Sequence, residues 1–405
     1  MSAMDPAMDQ AELHAWLRLL LTPGLGLTQA RRLLGALGSP QAIWAASPSV
    51  WGDILGARDT SAWALPPDTL AEQGERTAAW AELDGRHILS LADPRYPRAL
   101  LEATDPPLLL FAEGDLASFD APAVAMVGSR HATVQGAENA RAFAQALAEA
   151  GVVVISGLAR GIDAASHEGA LLAGEALGRP CTIAVVGTGL DQVYPKGHTA
   201  LARRIAQRGL VLSEFALGAP PLAQHFPRRN RIVAALSRAT LVVEAAVQSG
   251  SLITARLAAD MGREVLAIPG SIHAPQSRGC HALIKQGAKL VETAQDVLEE
   301  LGPGLLGLSA AALAGMSGKK AGAHGANDAH GEEGGALAEA GADMDTSDAA
   351  DPVLRAMGYD PVSQEALSAR TGWGPADLGA HLLTLELMGQ VARLPGALFQ
   401  RVGRA

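Results

Sequence analysis

Two kinds of segment alternate along the middle of the chain. Short apolar runs of strand length lie at Val124–Val127, Val152–Ile155, Thr182–Val186, Leu210–Leu212, Leu241–Val243, Glu264–Ile268 and Lys289–Val291. Helical stretches separate them, at Gly136–Ala150, Gly161–Gly174, Thr199–Arg208, Arg231–Arg238, Thr254–Met261 and Ala282–Gly287. Strands that are apolar without alternation are buried on both faces, and helices between them make the sheet parallel. The pattern predicts an α/β domain, a Rossmann-like, doubly wound, mostly parallel sheet.

The flanks read differently. Residues 1–81 form short helices, and five of the six tryptophans (Trp16, Trp44, Trp51, Trp63, Trp80) fall there. A small domain needs large side chains, so they are expected to fill a helical core. Within it, Leu21–Leu27 resembles the turn of a helix-hairpin-helix. Its glycine amides could face a phosphate, although an ordinary tight turn explains them as well. Residues 82–120 are punctuated by prolines that bar long helices. The α/β domain is placed at 82–302. Residues 303–350 are rich in Gly, Ala, Asp and Glu and lack periodicity, which predicts a flexible acidic linker. The last segment, 351–405, has winged-helix order. Ser363 caps a helix, Thr371–Gly374 turns, Pro375–Met388 forms a second helix, and a hairpin closes around Pro395-Gly396.

Composition narrows the function. A length of 405 residues suits two to three domains. Two cysteines exclude a disulfide scaffold and a four-cysteine zinc site. The N-terminal residues lack the basic and apolar regions of a signal peptide, and no apolar run reaches the ~18 residues of a membrane span. A cytoplasmic protein without membrane contact is expected. The net charge of −10 argues at first against nucleic acid. Lys319–Asp351 alone carries −6, however, which leaves −4 on everything else. The distribution of charge must decide.

Ligands of an open parallel sheet bind beyond the carboxyl ends of its strands. The loops there read Gly128–Thr133, Ser156–Asp163, Gly187–Asp191, Ser213–Phe215, Gln248–Thr254 and Pro269–Ser271. Five combine Gly with Ser or Thr just before a helix, the chemistry of a phosphate-binding edge. Cations come from Arg130, Arg160 and the cluster Arg228, Arg229 and Arg231, which follows a long loop that lands it on the same edge. Arginine suits phosphate through bidentate bonds. No P-loop is present, and the first loop, Gly128–Thr133, is not the G-x-G-x-x-G of a dinucleotide fingerprint. Asp163 and His167 are expected to cap or pack a helix, Cys181 to be buried at a strand start, Cys280 to lie in a loop, and Glu244 to be structural.

In order along the chain, these motifs resemble the DNA-processing protein A (DprA/Smf) family. The resemblance rests on Val127–Arg130 with Thr133; Ser156–Asp163 with His167; Gly187–Asp191 with Tyr194-Pro195; Ser213–Phe215; Phe226–Ile232; Val243–Ala246; Ser249–Ala255; and Gly262–Val265 with Pro269-Gly270. It covers about Asp93 to Glu300. It implies a non-catalytic protein with no cofactor that binds single-stranded DNA, protects it in natural transformation, loads the RecA recombinase, and forms a homodimer through the Rossmann-like domain. The implied DNA contacts are Gly128, Ser129, Arg130, Gly157, Arg160, Arg228, Arg229, Arg231, Gly250, Ser251 and Thr254. The helix Pro375–Met388 has no Lys or Arg, which favours a partner-contact role over groove reading. Only His131, Tyr194, His225 and Phe226 are available for stacking, so binding is expected to be backbone-dominated and salt-sensitive. The competing expectations are a nucleotide-processing hydrolase and a nucleotide sensor. The first lacks an acid in Ser249–Arg256, where base-releasing relatives of the fold carry a catalytic Glu.

Overall fold

The computed structural model describes residues 8–56, 59–302 and 351–402. They divide into two compact units, one holding nearly all of 8–302 and the other holding 351–402. The linker expected at 303–350 lies outside the described residues.

The larger unit is built on a nine-stranded sheet. In chain order the strands are β1 (Arg86–Ser90), β2 (Leu109–Gly114), β3 (Ala123–Val127), β4 (Val153–Ser156), β5 (Thr182–Val185), β6 (Leu210–Ser213), β7 (Ala239–Val242), β8 (Glu264–Ala267) and β9 (Lys289–Leu290). Their spatial order is β1-β2-β6-β5-β4-β3-β7-β8-β9. Strands β3 to β9 pair in parallel, while β1 and β2 are antiparallel to their neighbours. The chain steps outward from β3 to β6 in one direction, then restarts beside β3 with β7. The switch point therefore lies between β3 and β7, where such sheets open a crevice.

Helices cover both faces. α7 (Val134–Glu149), α8 (Ile162–Leu177) and α9 (Thr199–Arg208) connect β3 through β6. α10 (His225–Leu236), α11 (Ser251–Asp260) and α12 (Arg278–Lys285) belong to the return. Right-handed crossovers in opposite directions put the two sets on opposite faces. Alternate residues of each strand face each set. Ala123, Ala125, Val127, Val153, Ile155, Ile183 and Val185 share one core with Ile232, Val233 and Ala255 of α10 and α11.

Before the sheet come α1 (Gln10–Leu21), α2 (Leu27–Leu37), α3 (Pro40–Ala45), α4 (Pro48–Leu55) and α5 (Leu70–Ala81), with short α6 (Arg98–Leu101) after β1. Asp9 caps α1 by accepting from the Glu12 N–H at 2.7 Å. Trp16, Trp51, Trp63 and Trp80 are buried as expected, and Trp44 is partly buried. Their core continues into Leu109 and Phe111 of β2, with Trp80 edge-on to Phe111 at 6.2 Å. The helical part thus packs on the outer strands of the same unit. Short α13 (Ala294–Glu300) closes the unit after β9.

Three elements differ from expectation. The proline-punctuated bridge contributes β1 and β2, because prolines that bar helices still permit extended chain between them. Helix α10 begins at His225, six residues ahead of the expected start, because Pro227 is accepted in a first turn where its missing N–H has no partner to lose. Cys280 lies on α12, fully buried, with its thiol pushed by burial up to about 12. Cys181 is buried just before β5.

The second unit is a winged helix. It comprises α14 (Pro352–Met357), α15 (Gln364–Thr371) and α16 (Pro375–Leu387), and β10 (Val362–Ser363), β11 (Val391–Leu394) and β12 (Leu398–Arg401) in the order β10-β12-β11. Leu354, Leu367, Leu378, Leu382, Leu385 and Phe399 form its core. Ser363 caps α15, accepting from the Ala366 N–H at 3.1 Å. Among the described residues, no helix is long and apolar enough to cross a membrane.

Candidate nucleic-acid interface

The loops after β3, β4 and β7 meet at the switch point. The Ser129 N–H donates to the Glu244 carbonyl at 2.8 Å, and the Ile162 N–H donates to the Ser129 carbonyl at 3.1 Å. Close backbone approach explains two glycines here. A methyl group at Gly161 would collide with the Ser129 carbonyl, and Gly161 also has φ 75°. One at Gly128 would press on Ile162 at 2.6 Å.

Two of the expected anion-binding places are filled by the protein's own carboxylates. Asp163 is buried and accepts from the Gly157 N–H at 3.1 Å and the Ala159 N–H at 3.3 Å. Burial pushes its carboxyl above the usual range, against the pull of Arg229 and of these two N–H groups. The Glu244 carboxylate occupies the space beside Gly136, in the first turn of α7. A carboxylate there complements the helix dipole as a phosphate would. The Gly-rich text therefore overstates the open amides on this edge.

The arginine cluster separates once it is wound on α10. Arg229 is buried, contrary to the expectation of a surface contact. Its Nη1 donates to the Val185 carbonyl at 2.7 Å, and its guanidinium lies where a Gly157 side chain would be. Burial lowers its pKa while Asp163 raises it. Arg231 is also turned inward, bonded to Glu214 and to the Asp105 carbonyl. Arg228 is half-exposed. Its Nε and Nη2 donate to Glu214 at 3.1 and 3.2 Å, and its guanidinium lies 5.2 Å from the Phe215 ring centre. Glu214 thus holds two arginines from a buried position, where burial pushes its carboxyl upward against both cations.

Arg130, Arg160 and Gly250 are exposed. Ser251 and Thr254 are buried in the first turn of α11, with Ser251 Oγ 2.7 Å from Ser249 Oγ. Gly128, Ser129 and Gly157 are half-buried loop residues. Arg130 lies 5.7 Å from the Phe226 ring centre, and Tyr194, 48% exposed, is 5.6 Å beyond that ring. Phe215 stacks on His225 at 4.0 Å. The result is a run of cation and rings: Arg130, Phe226 and Tyr194, with Arg228, Phe215 and His225 beside it on α10 and the β6 loop. Phe226 and His225 lie beside Gly187 of the β5 loop, whose carbonyl is 3.1 Å from His225 Nδ1. Phe215, Glu214 and Asp105 carry roles that reading the loops one by one does not find. The available signal was the acid of Ser213-Glu214-Phe215 ahead of an arginine cluster.

His167 is fully buried. Thr182 Oγ1 donates to the Val154 carbonyl at 2.7 Å, so it accepts from His167 Nδ1 at 2.7 Å. The ring is neutral, its pKa pushed by burial down to about 3. Near the same edge a cavity of about 60 Å³ is walled by Leu158, Val186, Leu190, Val193, Ala202 and Val211. A volume of that size suits one or a few waters rather than a nucleobase. Leu158, in its wall, holds the left-handed conformation at φ 60°. Among the described residues, no group of three His, Cys, Asp or Glu could hold a metal.

A family model described as DNA recombination-mediator protein A matches residues 87–302, and a DprA winged helix domain model matches residues 338–397. Protein Smf of Escherichia coli is 38% identical over 335 residues, 82% of this chain and 81% of its own length. Protein Smf of Synechocystis is 32% identical, with 97% of this chain and all of that protein covered. DNA processing protein DprA of Streptococcus pneumoniae is 51% identical over 211 residues, 52% of this chain and 73% of its own. The X-ray structure of that pneumococcal protein superposes with a TM-score of 0.62 at 40% identity, covering 73% of this chain and 99% of the other.

Proposed function

The chain belongs to the DNA processing protein A (DprA/Smf) family, and on that premise we propose that it binds single-stranded DNA along the carboxyl edge of its large sheet and serves recombination in natural transformation. The observation that carries this reading is the run Arg130, Phe226 and Tyr194. A cation beside a tilted pair of partly open rings is a place where a single strand can set its phosphates and bases. Arg160 and Arg228 extend the cationic part of the edge. Most of the remaining charge is neutralised internally, so few phosphate contacts are expected and stacking supplies a larger share than composition alone suggests.

In this reading the protein acts by binding and not by turnover, and the cargo is handed to the RecA recombinase in the cytoplasm by a homodimer formed through the Rossmann-like domain. The winged helix serves a protein partner. The outward face of α16 carries Leu383 and Leu387 and no Lys or Arg, which suits an apolar contact better than a DNA groove.

The test is fluorescence anisotropy with a labelled single-stranded oligonucleotide at low and moderate salt, with duplex DNA and mononucleotides as competitors. Salt-sensitive binding that duplex displaces poorly is the expected result. Displacement by a mononucleotide, or no binding at low salt, overturns it. RecA filament assembly on the bound strand then tests the loading step.

A further inference from the structure

The geometry points to the N-terminal helices as a brace that positions two loops of the binding edge, through Arg76 of α5 and Asp191 of the β5 loop. Both loops lead into the aromatic run. The β5 loop continues through Gln192 and Val193 to Tyr194, and the β6 loop continues through Ala219 to His225 and Phe226. The proposal rests on the reading that this edge binds single-stranded DNA.

Hydrogen bonds and one ion pair tie the two loops to each other and to α5. Arg76 pairs with one oxygen of Asp191. The other oxygen accepts from the Gly218 N–H at 2.8 Å. Gln192 Nε2 donates to the Gly218 carbonyl at 3.2 Å, and the Gly189 N–H donates to the Ala219 carbonyl at 3.0 Å. On α5, Gln73 lies three residues before Arg76, on the same helical face, and its Nε2 donates to the Leu217 carbonyl at 3.1 Å. Gly218 has φ 84°, and a methyl group on it would stand 2.8 Å from Arg76 Nη1. The β6 loop is thus shaped to let the guanidinium in.

None of these groups touches the rings. Their effect is to hold the two loops in one register, which keeps Tyr194 against Phe226, with ring centres 5.6 Å apart. Arg76 is therefore a positioning residue. The pair is half-exposed, and such pairs change an equilibrium by at most about five-fold. The expected effect is of that size and local.

The test uses the full chain. Arg76→Ala is expected to weaken binding of a labelled single-stranded oligonucleotide by about two- to five-fold, with an unchanged melting temperature. Amide hydrogen exchange without DNA should quicken in residues 187–193 and 216–222 only. Arg76→Lys should recover most of both. Wild-type affinity and wild-type exchange in Arg76→Ala would overturn the brace. A general rise in exchange with a lower melting temperature would overturn it too, by making Arg76 an ordinary stabilising residue. Exchange is read on the free protein, so the brace is decided even if the wild-type chain binds no oligonucleotide, a result that would sink the DNA-binding reading instead.

Discussion

The guanidinium of Arg229 occupies the space in which any side chain at Gly157 would stand. The loop after β4 and the middle of α10 are therefore fitted to each other through one residue's lack of a Cβ. Gly157→Ala must push Arg229 off the Val185 carbonyl and away from Asp163. Displacing a buried, bonded charge costs about 3–5 kcal/mol. Urea unfolding followed by circular dichroism should show a drop in stability of at least about 2 kcal/mol, and a change below about 0.5 kcal/mol would mean that Arg229 relocates without penalty.

Arg229 and Arg130 should separate stability from binding. Arg229→Ala leaves Asp163 buried without its cation and should destabilise by about 3–5 kcal/mol. Arg130→Ala should leave stability within about 0.5 kcal/mol, as surface substitutions do. Its effect falls on DNA. Binding should weaken for all sequences, and the slope of log affinity against log salt should become shallower by about 0.7, the value for one phosphate that is no longer neutralised. An unchanged slope in Arg130→Ala would remove it from the phosphate path.

Tyr194→Ala tests the stacking part. Stacking on an aromatic side chain is worth roughly 1–3 kcal/mol per base. Affinity should fall by at least about five-fold, with the salt slope intact. A parallel fall in slope would show that the loop had lost its cations as well.

His167 provides a pH signature. Its folded pKa is near 3, below the unfolded value near 6.5. The unfolded chain therefore binds a proton first as pH falls. Stability from this group is complete above pH ~6.5 and declines by about 1.4 kcal/mol per pH unit down to ~3. His167→Asn should lower stability at neutral pH but flatten its dependence over that window relative to wild type. Denaturant midpoints at about pH 7, 6 and 5 measure both, and parallel curves for the two proteins would contradict a neutral buried ring.

On the second unit, Leu387→Asp should leave oligonucleotide affinity within about two-fold, because α16 presents no cation to DNA. The same oligonucleotide titration measures it, and a larger drop would bring the winged helix into the DNA site.

Much of this molecule was legible as text. Strand-length apolar runs between helices dictate a parallel sheet, because a strand buried on both faces has no other stable place. The winged helix was legible for a similar reason, since its cap, turn and hairpin signals are local. The motifs from Val127 to Gly270 pointed to the family.

The tertiary structure decided what the residues of those motifs do. Arg228, Arg229 and Arg231 are neighbours in sequence, but the 100° step of a helix turns Arg229 into the sheet and leaves Arg228, half-exposed, and Arg231, buried deeper, sharing Glu214. Asp163 and Glu244 take places that Gly-rich loops offer to an anion, and only spatial proximity reveals that a carboxylate six residues on, or from another strand, has filled them. Arg130 and Tyr194 come from two separate loops and Phe226 from the first turn of α10. Periodicity fixes how each element buries its apolar face. It holds no information on which polar side chains, once those faces are buried, satisfy one another and which are left facing water.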